Sequence, residues 1–214
     1  MLIIKTVDEL KDVLFRVKSS GKIVGFVPTM GALHAGHLSL LEKAKSENNV
    51  LVCSIFVNPI QFNNKQDLEK YPRNVEKDIN YIEDLVDILF LPSEEEVFPS
   101  APTEKFDFGE LESVLEGKYR PGHFNGVATI VKRLFDWIKP EKAYFGEKDY
   151  QQLVIIRELV RQFNLPVQIV ACPTVREPGG LAISSRNARL SPEEYKLASC
   201  IYQILLSLPP KTTL

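Results

Sequence analysis

Five short apolar runs recur along this chain, at residues 23–27, 50–57, 86–91, 142–145 and 167–171. Stretches with helical periodicity separate them: 38–45, 74–85, 127–138 and 151–163. The runs are apolar throughout and do not alternate with polar residues. A strand of that kind is buried on both faces, and strands joined through helices run parallel. The expected fold is therefore α/β, a parallel sheet with helices on both faces. Asn58-Pro59 and Pro92 stop two of the runs. Thr6-Val7-Asp8-Glu9 reads as a capping box opening a helix to about Lys18, which Gly21 ends. Ser191-Pro192-Glu193-Glu194 opens another to about Leu206, which Pro209-Pro210 ends. Residues 93–117 are acidic and carry several prolines, and they read as loops with short strands or helical turns.

Ligands of an open parallel sheet bind beyond the carboxyl ends of its strands. The polar residues of this chain fall there. The run 23–27 leads into PTMGALHAGH, 50–57 into NPIQFN, 142–145 into GEKDYQQ and 167–171 into PTVREPGGLAISSRN. If the fold holds, these segments converge on one cleft. The net charge of −2 gives no general attraction to nucleic acid or to an acidic membrane. The apolar runs are too short to span a bilayer, and the N-terminus does not read as a signal peptide. The three cysteines, Cys53, Cys172 and Cys200, have neither disulfide-framework nor metal-ligand spacing, which fits a reducing cytoplasm.

His34 and His37 stand three apart at the mouth of a helix. A glycine-rich turn there presents backbone N–H groups to an anion, and imidazoles add donors for phosphate oxygens. Helix capping is the plain alternative for the same pair. The chain lacks GxxxxGK[ST], and GALHAG is not a dinucleotide fingerprint. Lys148 ends a strand, with a solvated charge as its alternative. Ser184, Ser185 and Arg186 make a phosphate grip or a simple turn. Arg120 and His123 fall in a turn before a helix, so all three histidines sit in glycine-flanked turns ahead of helices.

FVPTMGALHAGH, SIFVNPIQFN, YPR at 71–73, RPGHFNGVATIV, AYFGEKDYQQL and PTVREPGGLAISSRN together resemble the pantothenate synthetase (pantoate–β-alanine ligase) family, in order and at its spacing. The resemblance implies a Rossmann-like sheet, a nucleotidyltransferase of the HxGH type, and pantothenate made from ATP, pantoate and β-alanine through pantoyl adenylate. It implies His37, His34, Lys148 and Arg186 as catalytic residues. ATP would lie on Pro28, Thr29, Met30, Gly31, His34, Gly36, His37, Gly146, Lys148, Asp149, Val175, Ile183, Ser184, Ser185 and Arg186. Pantoate and β-alanine would take Gln61, Gln152, Asn58, Tyr71, Arg120 and His123. Mg²⁺ would accompany the phosphates, with Asp78 as a candidate ligand and a surface helix carboxylate as its alternative role. Ile183 and Gly179 depart from the residues usual in the family. A cytoplasmic homodimer is implied as well. The domains would be 1–175, catalytic, and 176–214, a hinge and the start of a C-terminal lid. With so little of a lid, an open cleft and slow turnover are expected. An ATP- and pantoate-binding module and another HxGH nucleotidyltransferase are the competing readings.

Overall fold

A computed structural model describes residues 1–208, and the Pro209-Pro210 helix stop lies outside them. Six parallel strands form one sheet: β1 (Leu2–Ile4), β2 (Val24–Thr29), β3 (Val50–Ile55), β4 (Ile88–Phe90), β5 (Lys142–Gly146) and β6 (Gln168–Cys172). Their order is β1-β4-β3-β2-β5-β6. The expected α/β fold with a parallel sheet is what the chain adopts.

Side-chain alternation in the strands divides the core. Phe26, Val50 and Val52 point to one face, where α1 (Val7–Ser19), α7 (His123–Ile138) and α8 (Tyr150–Gln162) cover them. Val27, Leu51 and Cys53 point to the other, under α2 (Ala35–Glu47) and α4 (Val75–Ile82). Phe26, Leu51 and Cys53 have no exposed surface, and burial of a large apolar side chain contributes about 1.5–3 kcal/mol. Among the described residues no helix is long and apolar enough to cross a membrane.

Three elements differ from expectation: an edge strand, a short helix at Lys65–Glu69 and the start of the helix that holds His123. The edge strand β1 was not anticipated. It has only three residues and two of them are exposed, so no apolar run marks it. Residues 93–117 are loops with helical turns, as expected: the short helix α5 (Glu94–Val97), a 3-10 turn (Gly109–Glu112) and the start of α6 (Glu116–Tyr119). α7 begins at His123 rather than 127, so His123 is the first residue of the helix and not part of the turn before it. The remaining helices are α3 (Lys65–Glu69) and α9 (Pro192–Ser207), the latter capped by Ser191 and Glu194 as expected.

α7 crosses the 3-10 turn Pro59–Gln61 at Gly126, where a Cβ would stand 2.6 Å from the Ile60 carbonyl oxygen and 2.9 Å from Gln61 Cα. Only glycine permits this approach, because both obstacles are backbone. Overpacking of that kind costs roughly 1–3 kcal/mol. Gly126→Ala is therefore expected to lower the melting temperature by several degrees, about 2–4 °C per kcal/mol for a chain of this size. Calorimetry checks this. A melting temperature equal to that of the parent chain would show that the helix and turn move apart freely.

Candidate active site

From β2 the chain proceeds to β3 on one side and later returns to β5 on the other. The turns that follow β2 and β5 therefore meet at the reversal of strand order, the usual place for a ligand crevice.

The turn after β2 runs from Thr29 to the start of α2, and five of its backbone amides find partners within the protein. Gly31 N–H donates to Thr29 Oγ1 at 3.3 Å. Ala32 and Leu33 N–H donate to Asp78 Oδ2 and Oδ1 at 2.8 and 2.7 Å. His34 N–H donates to His37 Nδ1 at 3.3 Å, and Gly36 N–H to His34 Nδ1 at 3.2 Å. Gly31 and Ala32 both have left-handed backbone, with φ of 78° and 51°. For a non-glycine residue this costs on the order of 1–2 kcal/mol. Hydrogen bonds to an ionised carboxylate, each about 1.5–3 kcal/mol, outweigh that cost. Fewer turn amides are free for an anion than expected, because these five are engaged, while both imidazoles line the cleft.

Each Nδ1 accepts a hydrogen bond, so each ring carries its proton on Nε2. The two rings lie 4.1 Å apart between centroids, inclined by 32°. Burial, and after it the charge of Lys148, lowers the pKa of His34. Burial, then His34 and Lys148, pushes that of His37 down to about 3. Both rings are neutral donors at neutral pH. Capping takes Nδ1 of each ring, which leaves Nε2–H unengaged by the turn, and both rings line the cleft.

Across the switch point, Lys148 follows β5 in the 3-10 turn Glu147–Asp149, its Nζ 3.0 Å from Asp149 Oδ2. Between them opens a cleft of about 800 Å³, within the range of small-molecule sites. Every expected site residue lines it except Gly31 and Asp78. Pro28, Thr29, Met30, Gly36, Gly146 and Asp149 surround the histidines and the lysine.

One wall is made of amides. Asn58, 1% exposed, donates through Nδ2 to Gln61 Oε1 and to the Gly126 carbonyl, each at 3.0 Å. Gln61 Nε2 donates to Met30 Sδ at 2.9 Å. His123 Nδ1 donates to the Gln61 carbonyl at 2.8 Å, which leaves its Nε2 as an acceptor; burial lowers its pKa. Asn58 Oδ1 is buried without a partner among the described residues, and Gln152 lines the same cleft. Arg120 pairs with Glu116 at 3.5 Å at the rim. Tyr71 is buried against Phe62, and burial raises its pKa.

The outer lip is the segment after β6. Val175 and Ile183 face each other through a backbone hydrogen bond of 3.0 Å. Ser184 Oγ caps the turn that begins at Ser185, accepting from Arg186 N–H at 3.2 Å. Arg186 and Arg189 both reach Asp67 of α3, at 3.0 and 3.1 Å. Asp67 and the apolar floor of Val127, Ile130, Val131 and Leu134 were not expected at the site. The stripe on α7 carried a signal only for helix burial. Nothing in the spacing of Asp67 and Arg186 marks their contact.

Asp78 does not reach the cleft. It is 4% exposed, and both oxygens are engaged by the turn amides. Among the described residues no three His, Cys, Asp or Glu side chains converge to hold a metal. The expectation of Asp78 as an Mg²⁺ ligand therefore does not fit this geometry.

The family model described as pantoate-beta-alanine ligase matches residues 2–211. A pantothenate synthetase of Bacteroides thetaiotaomicron is 53% identical over 206 residues, 96% of this chain and 73% of that protein. The crystal structure of pantothenate synthetase from Thermus thermophilus superposes with a TM-score of 0.91 at 50% identity, covering 97% of this chain and 74% of that one. The pantoate-beta-alanine ligase of Francisella tularensis, solved as a complex with beta-gamma ATP and beta-alanine, superposes with a TM-score of 0.92 at 43% identity. The match covers 100% of this chain and 82% of that one.

The protonation of the rings gives a prediction with a definite sign. In the folded chain His37 stays neutral down to about pH 3, whereas the unfolded chain takes up that proton near pH 6.5. Between those values the unfolded state binds more protons, so stability falls as pH drops below 6.5. His37→Gln should flatten this slope. Nitrogen-15 spectra should show the Nε2–H neutral form for His37 from pH 8 to 5. An imidazolium signal from His37 growing in near pH 6.5 would contradict the assignment.

Proposed function

This chain belongs to the pantoate–β-alanine ligase family, and we propose that it joins its substrates at the expense of ATP through a pantoyl adenylate. As an enzyme it forms pantothenate from pantoate and β-alanine. The observation that carries the finer reading is the pair of neutral imidazoles, each held with Nε2–H toward the cleft beside Lys148.

In the first step a pantoate carboxylate oxygen bonds to the α-phosphorus, and the bond to pyrophosphate breaks with the electron pair leaving on oxygen. Such a reaction needs positioning and charge stabilisation more than covalent help. Neutral Nε2–H groups of His34 and His37 give directed donors to oxygens that gain charge, and Lys148 and Arg186 give positive charge. In the second step the β-alanine nitrogen bonds to the acyl carbon, the amine gives up a proton, and AMP leaves. Gln61, Gln152 and the orphan oxygen of Asn58 suit the hydroxyls and carboxylate of pantoate, with Tyr71 beside them. The apolar floor from α7 suits its gem-dimethyl group. Among the three histidines only His123 presents an acceptor, suited to a pantoate hydroxyl or the β-alanine amine, with Arg120 at the rim. Val175 and Ile183 offer apolar surface for the adenine, and Ser184 and Ser185 hydroxyls for phosphate.

Mg²⁺ belongs to this reading only as a companion of the triphosphate. A cytoplasmic location and a homodimer also belong to it; three free thiols are in keeping with a reducing compartment. Residues 1–175 act as the catalytic domain, and the segment from 176 acts as hinge and lid. Support for that boundary is the way the hairpin at 176–182 docks on α9, with the Arg176 guanidinium 3.7 Å from the Tyr202 ring centroid.

The direct test is an assay for pantothenate, AMP and pyrophosphate from ATP, pantoate and β-alanine. Equal amounts of the three are expected. ADP and phosphate in their place would rule out the adenylate. His37→Ala should slow single-turnover adenylate formation by about 3 kcal/mol of barrier with little change in ATP affinity. Gln152→Ala should raise the KM for pantoate and leave that for ATP alone. An unchanged pantoate KM would remove the residue from the pantoate site.

A further inference from the structure

We propose that Asp78 is the positioning residue for the two histidines, aiming them through the backbone of their turn, and that it is not a metal ligand. The inference rests on the reading above that those imidazoles act on the nucleotide.

Successive amides in a tight turn can face one anion. The turn here passes through two residues of positive φ, Gly31 and Ala32, and presents the amides of Ala32 and Leu33 to one side. The anion they meet is the protein's own carboxylate, Asp78. The next amide along, that of His34, donates to His37 Nδ1, and the next but one after it, that of Gly36, to His34 Nδ1. The path from Asp78 to both rings is therefore continuous, with no more than one residue between successive links. Asp78 itself stands on a stiff base. α4 is capped by the Asn74 side chain, which accepts from Lys77 N–H at 3.0 Å, and Ile79 and Ile82 pack in the core beneath. Leu33 packs against the same cluster. On the turn side the fit is close: a Cβ at Gly31 would lie 2.9 Å from Asp78 Oδ2 and 3.2 Å from Ile55 Cγ2. The turn thus cannot shift toward α4, and the two hydrogen bonds keep it from drifting away.

The test uses Asp78→Asn, Asp78→Ala and Gly31→Ala in this chain, with pantothenate formation, an Mg²⁺ titration and nitrogen-15 spectra of the imidazoles. Misplacing the rings should lower kcat by about 10- to 100-fold. The KM for pantoate and the Mg²⁺ concentration at half-maximal rate should stay within about twofold. Asn keeps one acceptor and should retain more activity than Ala. Gly31→Ala strains the same contact from the other side, so its effect should not add to that of Asp78→Asn. A rate restored by raising Mg²⁺ would overturn the proposal in favour of a metal ligand, and so would a parent-like kcat in both Asp78 variants. If the parent chain makes no pantothenate, the proposed function fails, and the spectra still decide this point. Loss of the pure Nε2–H form in Asp78→Asn, with the melting transition kept, supports positioning. Unchanged ring signals refute it.

Discussion

A backbone amide that leaves a strand and has not yet entered a helix must find a partner. The turn between β2 and α2 meets that constraint with side chains: a threonine hydroxyl, a buried carboxylate and two imidazole nitrogens. The chemistry of the site follows. Because Nδ1 of each histidine is engaged by an amide, the tautomer is set, and the proton lies on the nitrogen left to face the cleft. Because the rings are buried, and lie beside Lys148 and each other, adding a second proton is costly, and the pair is neutral at neutral pH. A neutral donor needs no neighbouring carboxylate to balance it. Positive charge in the cleft is then left to Lys148 and to the arginine of the outer lip.

Sheet topology brings the rest into range. β2 lies between β3 and β5, and the three strands run in one direction, so the segments after them leave on one edge. The turn after β2 supplies donors, the one after β5 a cation, and Pro59–Gln61 after β3 a wall of amides. That wall is built against α7 through Gly126 and His123. Its geometry is set by backbone contact, which allows less movement than side-chain packing would.

Much of this was legible in the chain. Uniformly apolar runs gave five of the six strands and their parallel sense, and the polar segments that follow them gave the cleft. β1 was hidden because an edge strand of three residues, two of them exposed, has no distinctive pattern. The extra turn at the start of α7 was hidden by the glycines around His123, which read as loop. The role of Asp78 was hidden for another reason. It acts on amides 45 and 46 residues away, and one carboxylate near the start of a helix reads the same whether it faces solvent, a metal or a turn. Asp67 is a similar case, since its partners lie 119 and 122 residues off. Patterns of period two or 3.6 report local burial. They carry nothing about which polar group a distant loop will bring.

The two sides of the cleft differ in how firmly they are held. On the inner side Asp78 is buried, its hydrogen bonds are 2.7 and 2.8 Å long, and their loss would leave both a carboxylate and two amides unsatisfied. On the outer side Arg186 and Arg189 meet Asp67 near the surface, with the side chains 47%, 44% and 28% exposed. Exposed ion pairs contribute about 0–1 kcal/mol and weaken with salt. A carboxylate carries one charge where a triphosphate carries several, so on the proposed reading a phosphate group would compete for Arg186 on favourable terms. The imidazoles that the proposed reaction would use as donors are fixed in advance by buried hydrogen bonds. The cation it would draw on, Arg186, is held by a contact weak enough to exchange.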